Sequence, residues 1–152
     1  MRLGVIGDTQ GRYRVDALLS IVAERFRDVD EIWHVGDWQE NEVLDGLRAL
    51  GKPLTVVNGN APDDRNYPEQ VKRRVEGVEL GMTHRPPKRG DQWARGCDIV
   101  IHGHTHRWRD ETVDGTRFIN VATPTLAGPD RERTMGILTI EGTQADLTKI
   151  VV

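Results

Sequence analysis

Cysteine is almost absent. Cys97 is the only one in 152 residues, which excludes a disulfide framework and a cysteine-rich zinc site. Long apolar runs are missing too: no stretch is long enough to span a bilayer, and no hydrophobic leader core follows Met1, since Leu3, Val5 and Ile6 break at Gly7-Asp8. Positive charge is not in excess. The chain carries 21 Lys and Arg against 24 Asp and Glu, a net −3, which offers no electrostatic footprint for duplex nucleic acid. There is no internal repeat and no low-complexity tract. What remains, 37% hydrophobic and 30% charged residues, is too apolar for disorder and too polar for a membrane protein. The expectation is a single globular domain over residues 1–152, soluble and cytoplasmic, burying roughly 70% of its unfolded surface.

The first half alternates strands and helices. Leu3 to Ile6 is a short apolar run. Val15, Leu18, Leu19, Val22 and Phe26 then form one helical stripe. Ile32 to Val35 predicts a second strand, Val43, Leu44, Leu47 and Leu50 a second helix, and Leu54 to Val57 a third strand. This grammar points to a largely parallel, buried sheet. After about residue 70 helical stripes disappear. Strands are expected at Val78 to Met82, Ile99 to Ile101, Thr112-Val113, Phe118 to Val121, Met135 to Ile140 and Leu147 to Val152, with a polar, Pro- and Gly-rich stretch from Pro86 to Gly96. The fold class expected is an α/β sandwich of two sheets with helices outside.

The informative pattern lies at the strand ends. In succession they carry Gly7-Asp8, Gly36-Asp37, Gly59-Asn60, Thr83-His84 and His102-Gly103-His104-Thr105-His106. In open parallel sheets ligands bind at the carboxyl ends of the strands. Each pair alone also reads as an ordinary turn or cap, and His34, inside an apolar strand, reads as a satisfied buried histidine. Together they bring carboxylate, amide and imidazole donors to one edge without thiolate, a set suited to Mn, Fe, Co, Ni or Zn rather than Ca. With two histidines counted from the last motif, six such groups exceed the needs of one tetrahedral ion, so two ions sharing a carboxylate fit, spaced roughly 3.5–4 Å apart for phosphoryl displacement. Read as one strand, positions 102, 104 and 106 would place three imidazoles on one face.

With these motifs in this order, the chain resembles the calcineurin-like metallophosphoesterases, most closely their compact bacterial and archaeal phosphodiesterase branch. The resemblance runs from Leu3 to the last strands. It implies a two-sheet α/β/β/α sandwich and a site for two divalent transition-metal ions (Mn, Fe, Ni, Co or Zn). By position, Asp37 would bridge the ions, Asp8, Gln10 and His106 would complete the first site, and Asn60, His84 and His104 the second. A hydroxide held by the two ions would hydrolyse the phosphate ester, with Asp37, Asn60 and His104 carrying catalysis and Asn60 also touching the phosphate.

Departures from the family pattern sharpen the expectation. Gln10 stands where the family has His, so the first site should bind metal weakly. Ala61 comes after Gly59-Asn60, leaving no proton donor there, which favours good leaving groups and hence phosphodiesters. Arg85 replaces the usual Gly after the second-site His, and Asn120-Val121-Ala122-Thr123 replaces a supporting loop of the family. Arg12, Arg85 and Arg107 flank ligand motifs as candidate phosphate-binding groups, and Trp38 and Trp108 could stack a substituent. The expected partner is a small phosphate ester, with no membrane and no nucleic acid beyond a nucleotide-like substrate. The oligomeric state stays open, homo-oligomer included. The competing reading is a non-catalytic or weakly active scaffold of the same fold that binds a protein, as the phosphoesterase-fold subunit of the retromer coat does.

Overall fold

The alternating first half forms β1 (Arg2–Ile6), α1 (Val15–Arg25), β2 (Glu31–His34), α2 (Asn41–Ala49) and β3 (Leu54–Val56). The computed structural model describes residues 1–11, 13–60, 66–88, 90–127, 129 and 131–152. The second half is β4 (Gln70–Val75), β5 (Val78–Thr83), β6 (Ile99–His102), β7 (Trp108–Val113), β8 (Thr116–Val121), β9 (Thr134–Glu141) and β10 (Gln144–Val151). Two five-stranded sheets result, in the orders β10-β9-β1-β2-β3 and β4-β5-β6-β8-β7. The expected α/β sandwich is the observed fold.

Two strands depart from the sequence reading. β4 is not expected from the sequence, because Lys72, Arg73 and Arg74 interrupt its alternation. Val71 and Val75 nevertheless join the inter-sheet core, and Arg73 reaches the buried carboxylate of Glu31 at 2.6 Å. β7 begins at Trp108, four residues before the expected Thr112, and pairs with β8 along its whole length.

Hydrophobic burial sorts into two layers. Leu3, Val5, Trp33, Leu80, Ile101, Ile119 and Leu138 fill the space between the sheets. Both helices pack on the outer face of the first sheet, where Leu18, Val22, Phe26, Val43 and Leu47 meet Ile6, Ile32 and Met135. The expectation of helices outside both sheets holds on this side only. No described residue forms a helix over the second sheet. There Trp93 and Cys97 lie against Gly81, whose Cβ would come within 2.9 Å of the Trp93 ring. Two prolines and two glycines between Pro86 and Gly96 break any helix that this covering segment could form.

This arrangement positions the site. β1, β2 and β3 run parallel, as do β5 and β6, so five carboxyl ends converge where the sheets meet. No helix among the described residues is long and apolar enough to cross a membrane.

One close contact seats the end of α1 on the first sheet. Phe26 is fully buried, with its ring over Gly4, where an added Cβ would sit 2.7 Å from the ring. Phe26→Ala should cost about 3–5 kcal/mol, read as a fall in the urea midpoint with the slope unchanged.

Candidate active site

The strand ends turn sharply to present their side chains. Asp8, Asp37, His104 and His106 all adopt positive φ, between 50° and 71°. That region is costly for residues with a Cβ and tends to persist at functional sites. Close approach requires glycine beside them. A Cβ on Gly59 would lie 2.0 Å from Asp37 Oδ1, and one on Gly103 would lie 2.6 Å from Asp8 Oδ2.

The seven expected ligand positions form a continuous cluster. Gln10 Nε2 lies 3.3 Å from His106 Nε2, which is 3.4 Å from Asp8 Oδ1. His84 sits between the carboxylates, with Nε2 3.3 Å from Asp37 Oδ2 and Nδ1 4.0 Å from Asp8 Oδ1. The Asn60 backbone amide donates to Asp37 Oδ1 at 2.5 Å, and its side-chain amide donates to His104 Nδ1 at 2.9 Å. The His104 backbone N–H closes the ring by donating to both oxygens of Asp8 at 3.1 Å.

Electrostatics follow burial. Asp8 is fully buried and Asp37 is 3% exposed. Burial pulls the His84 pKa down, but the hydrogen bond to Asp37 and the charges of Asp8 and Asp37 outweigh it and hold the imidazole above its ordinary value. The hydrogen bond to Asp8 likewise raises His106. His104 goes the other way, lowered by burial and by the charges of His84 and Arg85.

A divalent ion fits these donors. His84 Nδ1 donates to the Val35 carbonyl at 2.9 Å, which turns the buried Nε2 toward the carboxylates, 3.3 Å from Asp37 Oδ2. A backbone carbonyl on one ring nitrogen, with the other turned toward carboxylates, is the arrangement of a metal-binding histidine. Ligand atoms of Asp8, Asp37 and His84 all lie within 4.8 Å of one another. Two buried carboxylates need compensating positive charge.

Several supports are invisible or misleading in the sequence. His34 is the buried, satisfied histidine expected: Gly36 N–H donates to its Nδ1 at 3.2 Å, so Nε2–H donates to Thr9 Oγ1 at 3.1 Å. Thr123 Oγ1 donates to the Asp8 carbonyl at 2.8 Å, and Thr125 Oγ1 to the Gln10 carbonyl at 2.8 Å. Asn120 holds the His104 turn through Gly103 O at 2.8 Å and Thr105 Oγ1 at 3.0 Å. Only the Asn120-to-Thr123 stretch stands out in the sequence, as a family departure. Nothing local in a threonine marks it as a partner for a carbonyl over a hundred positions away.

His102 is corrected. β6 ends there and the chain turns, so 102, 104 and 106 do not share a strand face. His102 points to the outer side of the second sheet, where Nδ1 donates to Gly103 O at 3.1 Å and Nε2 accepts from Arg109 at 3.2 Å. Trp38 is corrected as a stacking surface: it is 1% exposed and packs edge-on against Tyr67 and His34. Trp108 packs against the inter-sheet core with Lys149 Nζ 5.2 Å from its ring centroid.

Of the three arginines, Arg85 joins the site, donating from Nε to Asn60 Oδ1 at 2.8 Å. Arg107 is exposed and is not drawn into the cluster. Arg12 lies outside the described residues, as do Ala61 and the stretch 62–65. A cavity of about 480 Å³ opens beside Asn60, His84 and Arg85 and is walled further by Glu69, Gln70, Lys88 and Asp91.

Acid should act through the buried neutral histidines. Burial lowers His34 to about 3 and His102 to about 4. The unfolded chain therefore takes up protons first, and stability present above pH ~6.5 is lost as pH falls toward 4. His84 and His106, both raised, contribute in the opposite sense, their share fading as pH rises through their folded values. His102→Asn isolates one group: its metal-free melting temperature should fall less between pH 7 and pH 4.5 than that of the unaltered chain. Parallel pH curves for the two proteins would contradict this assignment.

Residues 1–143 match the calcineurin-like phosphoesterase superfamily domain. A probable metallophosphoesterase of Methanothermobacter thermautotrophicus is 30% identical over 158 aligned residues, covering 96% of this chain and 90% of that protein. A second, from Methanocaldococcus jannaschii, is 32% identical over 135 residues, covering 83% of this chain and 69% of its own length. Among solved structures, an archaeal phosphodiesterase aligns with a TM-score of 0.81 at 24% identity, over 100% of both chains. Vps29 of Entamoeba histolytica, complexed with zinc, aligns with a TM-score of 0.76 at 21% identity, over 99% of both. These structural likenesses carry the fold, and the family match carries the membership. The chain belongs to the calcineurin-like phosphoesterase superfamily, a family of metal-dependent phosphoesterases.

Proposed function

We propose that this chain is a phosphodiesterase whose strand-end residues hold two divalent ions. The observation that carries the reading is the buried trio of Asp8, Asp37 and His84, whose ligand atoms all lie within 4.8 Å of one another. Asp8, Gln10 and His106 would hold one ion, Asn60, His84 and His104 the other, and Asp37 both. Such ions supply positive charge to the phosphoryl oxygens and make water nucleophilic near neutral pH. The chain's own groups do the rest. Asn60 and Arg85, already hydrogen-bonded to each other, would donate to the non-bridging phosphate oxygens. His104, held below its ordinary pKa by burial and neighbouring cations, is neutral at physiological pH and available as a ligand.

Substrate preference follows from what position 61 lacks. Ala61 cannot protonate a departing alkoxide. A diester with an aryl leaving group needs no such help, because a phenolate of reference pKa near 10 departs unaided. Rates with Mn, Ni, Co or Zn should be higher on activated aryl phosphodiesters than on alkyl monoesters. Asp37→Ala should abolish hydrolysis and strip the metal, as read by elemental analysis. A variant that retained activity with full metal content would remove Asp37 from its bridging role.

Gln10 should make the first site the weaker one, since an amide oxygen is a poorer donor than imidazole to a late first-row ion. Purified protein should carry fewer than two equivalents of metal, and Gln10→His should raise both occupancy and turnover. Equal occupancy in the two proteins would place residue 10 outside the coordination shell.

A protein-binding role is the second reading. Gln10 and Ala61 favour it, as does the structural likeness to Vps29 proteins. Metal content together with diester hydrolysis separates the two.

A further inference from the structure

We propose that the cavity beside Asn60 and Arg85 is a subsite for a hydroxyl-bearing substituent, so that the substrate is a phosphodiester of a sugar or polyol. This rests on the phosphodiesterase reading and names the ester group that reading leaves open. At about 480 Å³ the cavity is of the size that binds small molecules, far more than a phosphoryl group needs. Asn60, His84 and Arg85 are among the residues that line it, so a substituent on a phosphate held by Asn60 and Arg85 is within reach of it.

The wall chemistry selects the substituent. Glu69 and Asp91 offer acceptors, Lys88 offers donors, and Gln70 offers both. No aromatic side chain lines the cavity among the described residues. Both tryptophans that border the motifs in sequence are packed elsewhere, Trp38 at 1% exposure and Trp108 against the inter-sheet core. An aryl group or nucleobase therefore finds no stacking partner. A second phosphate would meet two carboxylates of its own sign. A hydroxyl group donates to a carboxylate and accepts from an ammonium at once, so a vicinal diol can use both sides of the wall.

The wall is also held in place. The Trp93 backbone N–H donates to Asp91 Oδ1 at 3.0 Å, and the Trp93 ring is seated against Gly81, which ties Asp91 to the outer face of the second sheet.

The test uses the metal-loaded full chain with 4-nitrophenyl phosphodiesters that differ only in the second alcohol: glycerol, ribose, propanol or phenol. The glycerol or ribose ester should exceed the propyl ester in kcat/KM roughly tenfold, the effect of one hydrogen bond to a charged group, with the difference mainly in KM. Glu69→Ala and Asp91→Ala should each bring the ratio toward one. The ribose and glycerol esters distinguish a sugar ring from an open-chain polyol, and an advantage for either supports the proposal. A ratio at or below one for both, or a phenyl ester that is best, overturns it. If no diester turns over with Mn, Ni, Co or Zn, the phosphodiesterase reading fails. Calorimetric affinity for glyceryl against propyl methylphosphonate still decides the subsite, equal affinities overturning it.

Discussion

Two carboxylates taken out of water, Asp8 and Asp37, set the terms for everything around them. Their oxygens lie within the same 4.8 Å group as His84. At such a separation two like charges repel by about 3–4 kcal/mol at an effective dielectric near 20. The fold answers with imidazoles raised toward the charged form and with three backbone N–H contacts: Asn60 to Asp37, and His104 to both oxygens of Asp8. A divalent ion would do the same work with greater charge density. A cluster of this kind has little value in a fold that does not bind cations, which is why the site and the family agree.

Holding the carboxylates there strains the backbone. Four of the candidate ligands sit at positive φ, and conformations of this kind survive only where their surroundings fix them. The fixing groups are buried and polar. His34 clamps Thr9 to Gly36, Thr123 and Thr125 grip the carbonyls of Asp8 and Gln10, and Asn120 braces the Gly103 turn. Glycine provides the closeness, since a side chain at Gly59 or Gly103 would overlap the carboxylates themselves. Burial keeps His34 neutral, and its single available tautomer makes the clamp directional.

The one-sided helix layer has a consequence for the cavity. The second sheet is covered by the Trp93 segment and, among the described residues, not by a helix, and Arg85, Pro86, Pro87, Lys88 and Asp91 of this stretch line the cavity. Pro86 and Pro87 stiffen its start, and Asp91 is pinned through Trp93. The wall of the proposed subsite is thus an outcome of how the outer face of the second sheet is packed. Its composition is polar on the side that faces solvent, while the same segment presents Trp93 and Cys97 inward.

The sequence by itself determined the parallel half of the fold, since apolar runs and 3.6-residue stripes report burial locally and β1 to β3 obey them. It also determined which residue types gather at the strand ends, because Gly-Asp, Gly-Asn and Gly-His-Thr-His are contiguous and each strand must end somewhere. β4 escaped, its inward Arg73 reading as polar although it pairs with buried Glu31. Tertiary structure alone decided that His102 faces away from His104 and His106, because a turn after β6 breaks the two-residue period of an extended strand. It alone decided that Trp38 is core and not a stacking surface, and that Thr123, Thr125 and Asn120 serve the site. Those roles are contacts between positions tens to more than a hundred residues apart, and no local pattern encodes where the far partner will lie until both sheets have packed.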